Sequence, residues 1–229
     1  MMFLSRVRRQ DVRIISHAAE DPLMTDLYEE HKFIWELFPR NTEIKRDFLY
    51  RRVDERLGPL FYVLSRRKPT NQPEGWVIDT KKFEPIIKAG DMFQFSLRVN
   101  PVVTRKPEGN LSKKRKRDDI YMDALAKYKD SPDIPRPSNT QILSESVYEW
   151  LDKRSEACGF SLLKASVLVE GYQRAELQKS TKKDSIQFGV VDLSGRLTVT
   201  NAELFYKTLN QGIGKARAFG CGLLLIKRI

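Results

Sequence analysis

The chain has 229 residues, enough for one large domain or for two of about a hundred residues each, with cores of their own. Its 41 Lys and Arg exceed its 30 Asp and Glu, a formal charge of +11, and that excess favours a polyanionic partner, because every phosphate neutralised releases condensed counterions. No run of about 20 apolar residues exists to span a membrane, no apolar signal opens the chain, and two distant cysteines without C-x-x-C spacing, Cys158 and Cys221, suit free thiols in a reducing cytoplasm.

In chain order, Met2–Arg8 alternates Phe3, Ser5 and Val7 on one face and predicts a first strand. The stretch from Asp21 to Pro39 predicts a helix: Pro22 or Thr25 can open it, Pro39 closes it, and Leu23, Leu27, Ile34, Leu37 and Phe38 form one apolar stripe. His31 sits in that stripe, and Tyr28 projects three residues earlier from nearly the same face. An imidazole, with an unperturbed pKa of about 6.5, both takes and gives protons near neutrality. A hydrogen-bonded core histidine is the alternative use of the same position. The other histidine, His17, falls in a loop, and neither has the H-E-x-x-H or Cys/His neighbours of a metal centre, so no metal and no cofactor is expected.

Residues 47–53 and 60–65 are β-rich runs parted by Gly58-Pro59, a hairpin pattern. After an ambiguous segment at 71–90, Asp91–Asn100 alternates Phe93, Phe95, Leu97 and Val99, and Pro101 ends it. The resulting order, β-α-β-β-(α)-β, is that of a ferredoxin-like, or RRM-like, unit over residues 1–103. Residues 104–140 are polar and proline-containing, with a basic run from Lys113 through Lys114 and Arg115 to Arg117 and a short helix at Asp119–Tyr128. They predict a flexible insertion, and the run suits phosphate contact, a targeting signal or a solvated charge block.

Residues 141–229 predict a helix at Ser144–Ser155 with Val147, Trp150 and Leu151 inward, and strands at Phe160–Glu170 and Ile186–Leu193. Between those strands Arg174, Lys179, Lys182 and Lys183 form a basic hairpin tip. Ser194-Gly195 turns into a strand at Arg196–Thr200, a helix follows at Asn201–Asn210 capped by Asn201, and Gly222–Lys227 is the last strand. These proportions predict an α+β chain of two tandem ferredoxin-like units. Gly212, Gly214, Gly220 and Gly222, with Lys215 and Arg217 among them, form a glycine-rich loop that exposes amide donors to an anion or permits tight packing. It is neither a Walker loop nor a Rossmann fingerprint, since no G-K-[ST] follows and it runs from helix to strand.

The pattern G-h-G-x5-G-h-G at those four glycines resembles the glycine-rich loop of the repeat-associated (RAMP) superfamily of CRISPR proteins. Four ordered blocks add to it: the opening M-x-L-S, the D-L-Y-x-x-H-x-x-[IL]-W-x-L-F-P block around Tyr28 and His31, the F-x-L-R-x-N-P block at Phe95–Pro101, and the G-I-G-x-[AG]-[KR]-[AS]-x-G-C-G-L-L block near the end. Together they resemble the CRISPR repeat-RNA endoribonucleases of the type I-E Cascade complex over most of the chain, although the insertion is longer than the family's connection. The resemblance implies a metal-independent enzyme that binds the hairpin of precursor CRISPR RNA and cuts once in each repeat, the 2′-hydroxyl attacking the adjacent phosphate. It implies His31 as general acid or base, Tyr28 as its partner, and a basic residue of the second unit, Lys183 with Lys182 and Arg174 beside it, against the phosphate charge. Arg98, Lys113, Lys114, Arg115, Lys179, Lys215, Arg217 and the four loop glycines are the further candidate RNA contacts. The product would stay bound as mature guide RNA among the other Cascade subunits. A non-catalytic guide-RNA-binding scaffold of the same superfamily is the alternative, and a metal-dependent nuclease is a second.

Overall fold

Alternation puts Ser5 and Val7 inside and Arg6 and Arg8 outside, and Phe3–Arg9 is strand β1 of a computed structural model that describes residues 1–10, 27–39, 43–56, 58–105, 116–129, 135–177 and 186–229. The chain is a mixed α and β protein with antiparallel sheets, and it divides into two units. The first holds residues 1–86, 175–187 and 209–223, and the second holds 87–174, 188–208 and 224–229.

In the first unit, β1 is followed by helix α1 (Leu27–Glu36) and by strands β2 (Phe48–Glu55), β3 (Gly58–Ser65) and β4 (Trp76–Lys82), in the antiparallel order β2-β3-β1-β4. The hairpin predicted around Gly58-Pro59 is β2 and β3, in register from Phe48 opposite Ser65 to Glu55 opposite Gly58. The apolar stripe of α1 packs on this sheet: Phe33 lies 4.5 Å from the Trp76 ring and 5.5 Å from Phe61, and Ile34, Leu37 and Phe38 are fully buried. The carbonyls left unpaired at the helix end find donors in the chain beyond β3. The Thr70 and Asn71 amides donate to the Leu37 carbonyl, and the Asn71 side chain donates to Glu36 and Phe38. The predicted helix start near Asp21 and the histidine at 17 lie outside the described residues.

A buried ion pair ties α1 to the sheet. Arg52 on β2 donates to the Glu30 carboxylate at 2.7 Å and to Asp54 at 2.7 Å.

The second unit begins with β5 (Met92–Val99), continues through β6 (Val102–Arg105), β7 (Lys116–Asp119), α2 (Ile120–Lys129), α3 (Asn139–Ser155), β8 (Phe160–Leu162), β9 (Leu168–Leu177), β10 (Ile186–Val199) and α4 (Ala202–Gln211), and ends with β11 (Leu224–Arg228). Its main sheet has the order β11-β5-β10-β8. Here the sequence reading needs correction. The strand at Asp91–Asn100 is not the last strand of the first unit: its apolar face, Phe93, Phe95, Leu97 and Val99, pairs with β10 and β11, and β4 takes the place beside β1. Alternation fixes which face of a strand is buried but not which strand lies beside it.

Four further elements differ from expectation. The described part of the insertion is an ordered ribbon, β6 with β7, followed by the expected short helix. The predicted strand at Phe160–Glu170 is broken by a 3-10 turn at Lys164–Ser166. Ser194-Gly195 is no turn, because β10 runs straight through it with Ser194 opposite Ser96 and Gly195 opposite Phe95. Glycine serves close approach there, since a Cβ would lie 3.0 Å from the Ser166 carbonyl. Helix α3 starts earlier than expected, with Ser138 and Gln141 forming a capping box, and Asn201 caps α4 by accepting from the Leu204 amide at 3.0 Å. Cys158 and Cys221 are free thiols. Among the described residues no helix is long and apolar enough to cross a membrane.

Candidate active site

Helix α1 carries the imidazole of His31 half-buried among three aromatic rings of the first unit, Trp35 at 6.3 Å, Phe48 at 6.2 Å and Phe219 at 5.8 Å between centroids. Trp35 stands one helical turn further on, and its indole N–H donates to His31 Nε2 at 3.1 Å. A nitrogen that accepts carries no proton, so the neutral ring is protonated on Nδ1. Nδ1 is closed to solvent and makes no hydrogen bond of good geometry with the described residues, and the backbone of Ala218 is a polar neighbour of the ring. Burial first and the Arg46 guanidinium second hold the imidazole below its usual 6.5, while the Ala218 backbone opposes both. Both of the lowering influences favour the neutral ring.

Arg46 lies just ahead of β2 and joins that strand to the glycine-rich loop. Its Nη1 donates to the Phe48 carbonyl at 3.1 Å and to the Arg217 carbonyl at 2.6 Å, with the guanidinium carbon 6.0 Å from the centre of the Phe48 ring. Burial lowers the proton affinity of Arg46, the charge of Arg217 lowers it further, and the Tyr50 phenol opposes both. No carboxylate is among the influences on it, so two guanidinium groups face each other beside the imidazole.

The loop owes its shape to its glycines. Gly212, Gly214, Gly220 and Gly222 all adopt positive φ, as does Ala216. A Cβ on Gly212 would lie 2.7 Å from the Gly222 carbonyl and 2.9 Å from Leu49 Cδ1, so the two ends of the loop cross too closely for any side chain. The Ile213 amide closes that crossing by donating to the Gly222 carbonyl at 2.9 Å. Between the ends, Arg217–Phe219 forms a 3-10 turn packed on α1 and β2, and Arg217 Nε donates to the Gly214 carbonyl at 3.0 Å. Tight packing thus accounts for the glycines at the crossing, and that packing also brings Ala218 and Phe219 to His31.

The structure brings together His31, Arg217 and the four glycines among the residues singled out from sequence. Tyr28 is exposed on α1, with the Lys32 ammonium 4.4 Å over its ring, and Lys215 is exposed in the loop. Arg98 has a partner within the protein. In the second unit it makes a two-pronged ion pair with Asp192 across β5 and β10, at 3.0 and 2.8 Å. Arg174, also in the second unit, is exposed on β9 with Nη2 3.7 Å from Met122 Sδ. Lys113, Lys114, Arg115, Lys179, Lys182 and Lys183 lie outside the described residues. Sequence reasoning missed Arg46, Trp35, Phe48 and Phe219. Trp35 had a signal, since i and i+4 share a helix face, whereas Arg46 had none among 41 cations. Among the described residues no group of three or more His, Cys, Asp or Glu side chains is placed to hold a metal ion.

Comparison with known proteins places these residues in context. A family model described as CRISPR associated protein matches residues 2–228. The chain is similar to the CRISPR system Cascade subunit CasE of Escherichia coli, at 28% identity over 204 residues that cover 87% of this chain and 90% of that one. It is similar to the same degree, 28% over 214 residues covering 87% and 89%, to the CRISPR-associated endoribonuclease Cse3 of Thermus thermophilus. Among solved structures, Thermus thermophilus Cse3 bound to an RNA representing a pre-cleavage complex superposes with a TM-score of 0.71 at 23% identity, covering 99% of this chain and 98% of that one. Escherichia coli Cas6e superposes at 0.58 and 22%, covering 99% and 100%.

Proposed function

Because the chain belongs to the family of CRISPR-associated proteins, we propose that it is an endoribonuclease that binds the hairpin of precursor CRISPR RNA, cuts once in each repeat, and stays on the mature guide RNA as a subunit of a type I-E Cascade. The carrying observation is the half-buried imidazole of His31 and the Arg46 guanidinium, which pack on the same Phe48 ring and both meet the turn Arg217–Phe219. A group able to take a proton stands there against charge able to hold a phosphate. RNA supplies its own nucleophile. The protein need only deprotonate the 2′-hydroxyl, protonate the leaving 5′-oxygen and stabilise the charge that builds on phosphorus, which requires neither a metal nor a cofactor. His31 is the general acid or base and Tyr28 its partner, with Lys183 a further candidate for the phosphate charge. Arg174, Lys179, Lys182, Lys215 and Arg217 are candidate contacts to the RNA backbone. Both sheets run in the strand order fourth, first, third, second of a β-α-β-β-α-β unit, which supports two tandem ferredoxin-like units. Such a subunit works in the cytoplasm.

The test uses a repeat hairpin in EDTA. Cleavage persists in the chelator, stops when the nucleotide before the cut is 2′-deoxy, and falls at least about a hundredfold in His31→Ala. Near wild-type cleavage by His31→Ala would remove His31 from the chemistry, and chelator-sensitive cleavage would make the enzyme metal-dependent. One observation favours the non-catalytic guide-RNA scaffold: Nε2 is held by Trp35, so the indole must turn away before that nitrogen can meet a ribose. No cleavage of any repeat hairpin, with binding intact, would select the scaffold.

A further inference from the structure

We propose that Arg46 is a catalytic residue of this site, its Nε and Nη2 edge gripping the non-bridging oxygens of the scissile phosphate beside His31. The inference rests on the endoribonuclease reading and adds to it the group that bears the phosphate charge.

The geometry separates the two sides of the guanidinium. Nη1 is consumed by two backbone carbonyls, Phe48 at 3.1 Å and Arg217 at 2.6 Å, which fix its plane against β2 and the loop turn. Among the described residues Nε and Nη2 form no hydrogen bond and no carboxylate pairs with the group. A half-buried arginine ordinarily meets an acid, as Arg52, Arg67 and Arg98 do here with Glu30, Asp47 and Asp192, or covers an aromatic face, as Arg154 does 4.1 Å over the Trp150 ring. Arg46 instead faces a second cation, Arg217. Leaving such a group unpaired costs stability, and an anion that arrives later recovers it. The unused edge presents two parallel N–H groups, the fork that matches two oxygens of one phosphate.

The same anchors place that edge next to the proton-transfer group. Arg46 and His31 pack on the same Phe48 ring, at 6.0 and 6.2 Å, and both meet the turn Arg217–Phe219. In the reaction the 2′-oxygen forms its bond to phosphorus as its proton leaves to the base. The bond from phosphorus to the 5′-oxygen breaks, that oxygen takes a proton, and a cyclic phosphate remains. Negative charge on the non-bridging oxygens peaks between those events, where a rigid guanidinium needs no reorganisation to meet it.

The experiment compares the parent protein, Arg46→Gln, Arg46→Lys and His31→Ala on a repeat hairpin under single turnover, using the natural scissile phosphate and each phosphorothioate diastereomer. Arg46→Gln is expected to slow cleavage about a hundredfold, while affinity for the uncleavable 2′-deoxy hairpin changes by less than about fivefold, the share of one phosphate contact among many. The parent should cut one diastereomer more slowly than the other, and the two should become equal in Arg46→Gln. Arg46→Lys keeps a charge without the fork. It carries the same diastereomer test if the Gln variant does not fold, and it should lie between the Gln variant and the parent in rate. Parent-like rates in Arg46→Gln, or an unchanged diastereomer preference in either variant, would overturn the proposal while His31→Ala still reports on the wider reading. A parent that cuts no hairpin overturns both.

Discussion

At the scale of single residues, the site is governed by how burial and charge set the proton affinity of His31. Burial and the facing Arg46 guanidinium both lower it, and the Ala218 backbone alone works the other way. A folded pKa below the unfolded value of about 6.5 means that the folded state binds fewer protons. Its contribution to stability is present above that value and is lost as pH falls through the folded pKa. If the neutral ring takes the proton from the 2′-hydroxyl, single-turnover cleavage should rise with pH through a midpoint below 6.5 and level off by about pH 7. Arg46→Gln should move that midpoint upward, because it removes a charge that opposes protonation. A midpoint at or above 6.5 in the parent would contradict the assignment of the base. His31 was legible in the sequence because histidine is scarce, with two in the chain, and because it interrupts an apolar stripe. Arg46 was not legible. Its importance comes from two carbonyl partners, one of them 171 positions away, and residue type says nothing about such partners.

Among elements, α1 carries His31, and its register on the sheet depends on the buried pair between Glu30 and Arg52. Glu30→Ala removes the buried carboxylate that pairs with Arg52 and should cost about 3–5 kcal/mol of unfolding free energy. Urea denaturation would measure this, and an apolar replacement of both partners should recover much of the loss. A loss below about 1 kcal/mol would mean that the pair does not anchor the helix. The helix itself, the β2–β3 hairpin, α3 and α4 could be read from sequence, since periodicity and caps are local. The partner of β5 could not. The segment that forms β4 was ambiguous in sequence, and only the distant strands β10 and β11 decide which sheet receives β5. The continuity of β10 through Ser194-Gly195 was missed for a related reason: glycine marks a turn or a close approach equally well, and the Ser166 carbonyl that makes the difference comes from elsewhere in the chain.

For the molecule as a whole, a charge of +11 predicts how an RNA partner would be held. The deep, narrow major groove of A-form RNA hides its bases, so contacts to phosphates and to hairpin shape should dominate. Affinity for a repeat hairpin should fall at least about tenfold between roughly 50 and 200 mM salt. A nearly flat response in a filter-binding titration would show that the charge excess is not at the interface.

The first unit is assembled from pieces of sequence that leave the ribosome far apart. Residues 1–86 emerge early, but the turn that seats Phe219 and Ala218 on His31 belongs to 209–223. With translation at about 5–20 residues per second, the nascent sheet waits on the order of ten seconds for its final piece. A message broken before that point yields a polypeptide whose His31 lacks the turn that covers it, so only a chain translated through that turn completes the surroundings of this imidazole.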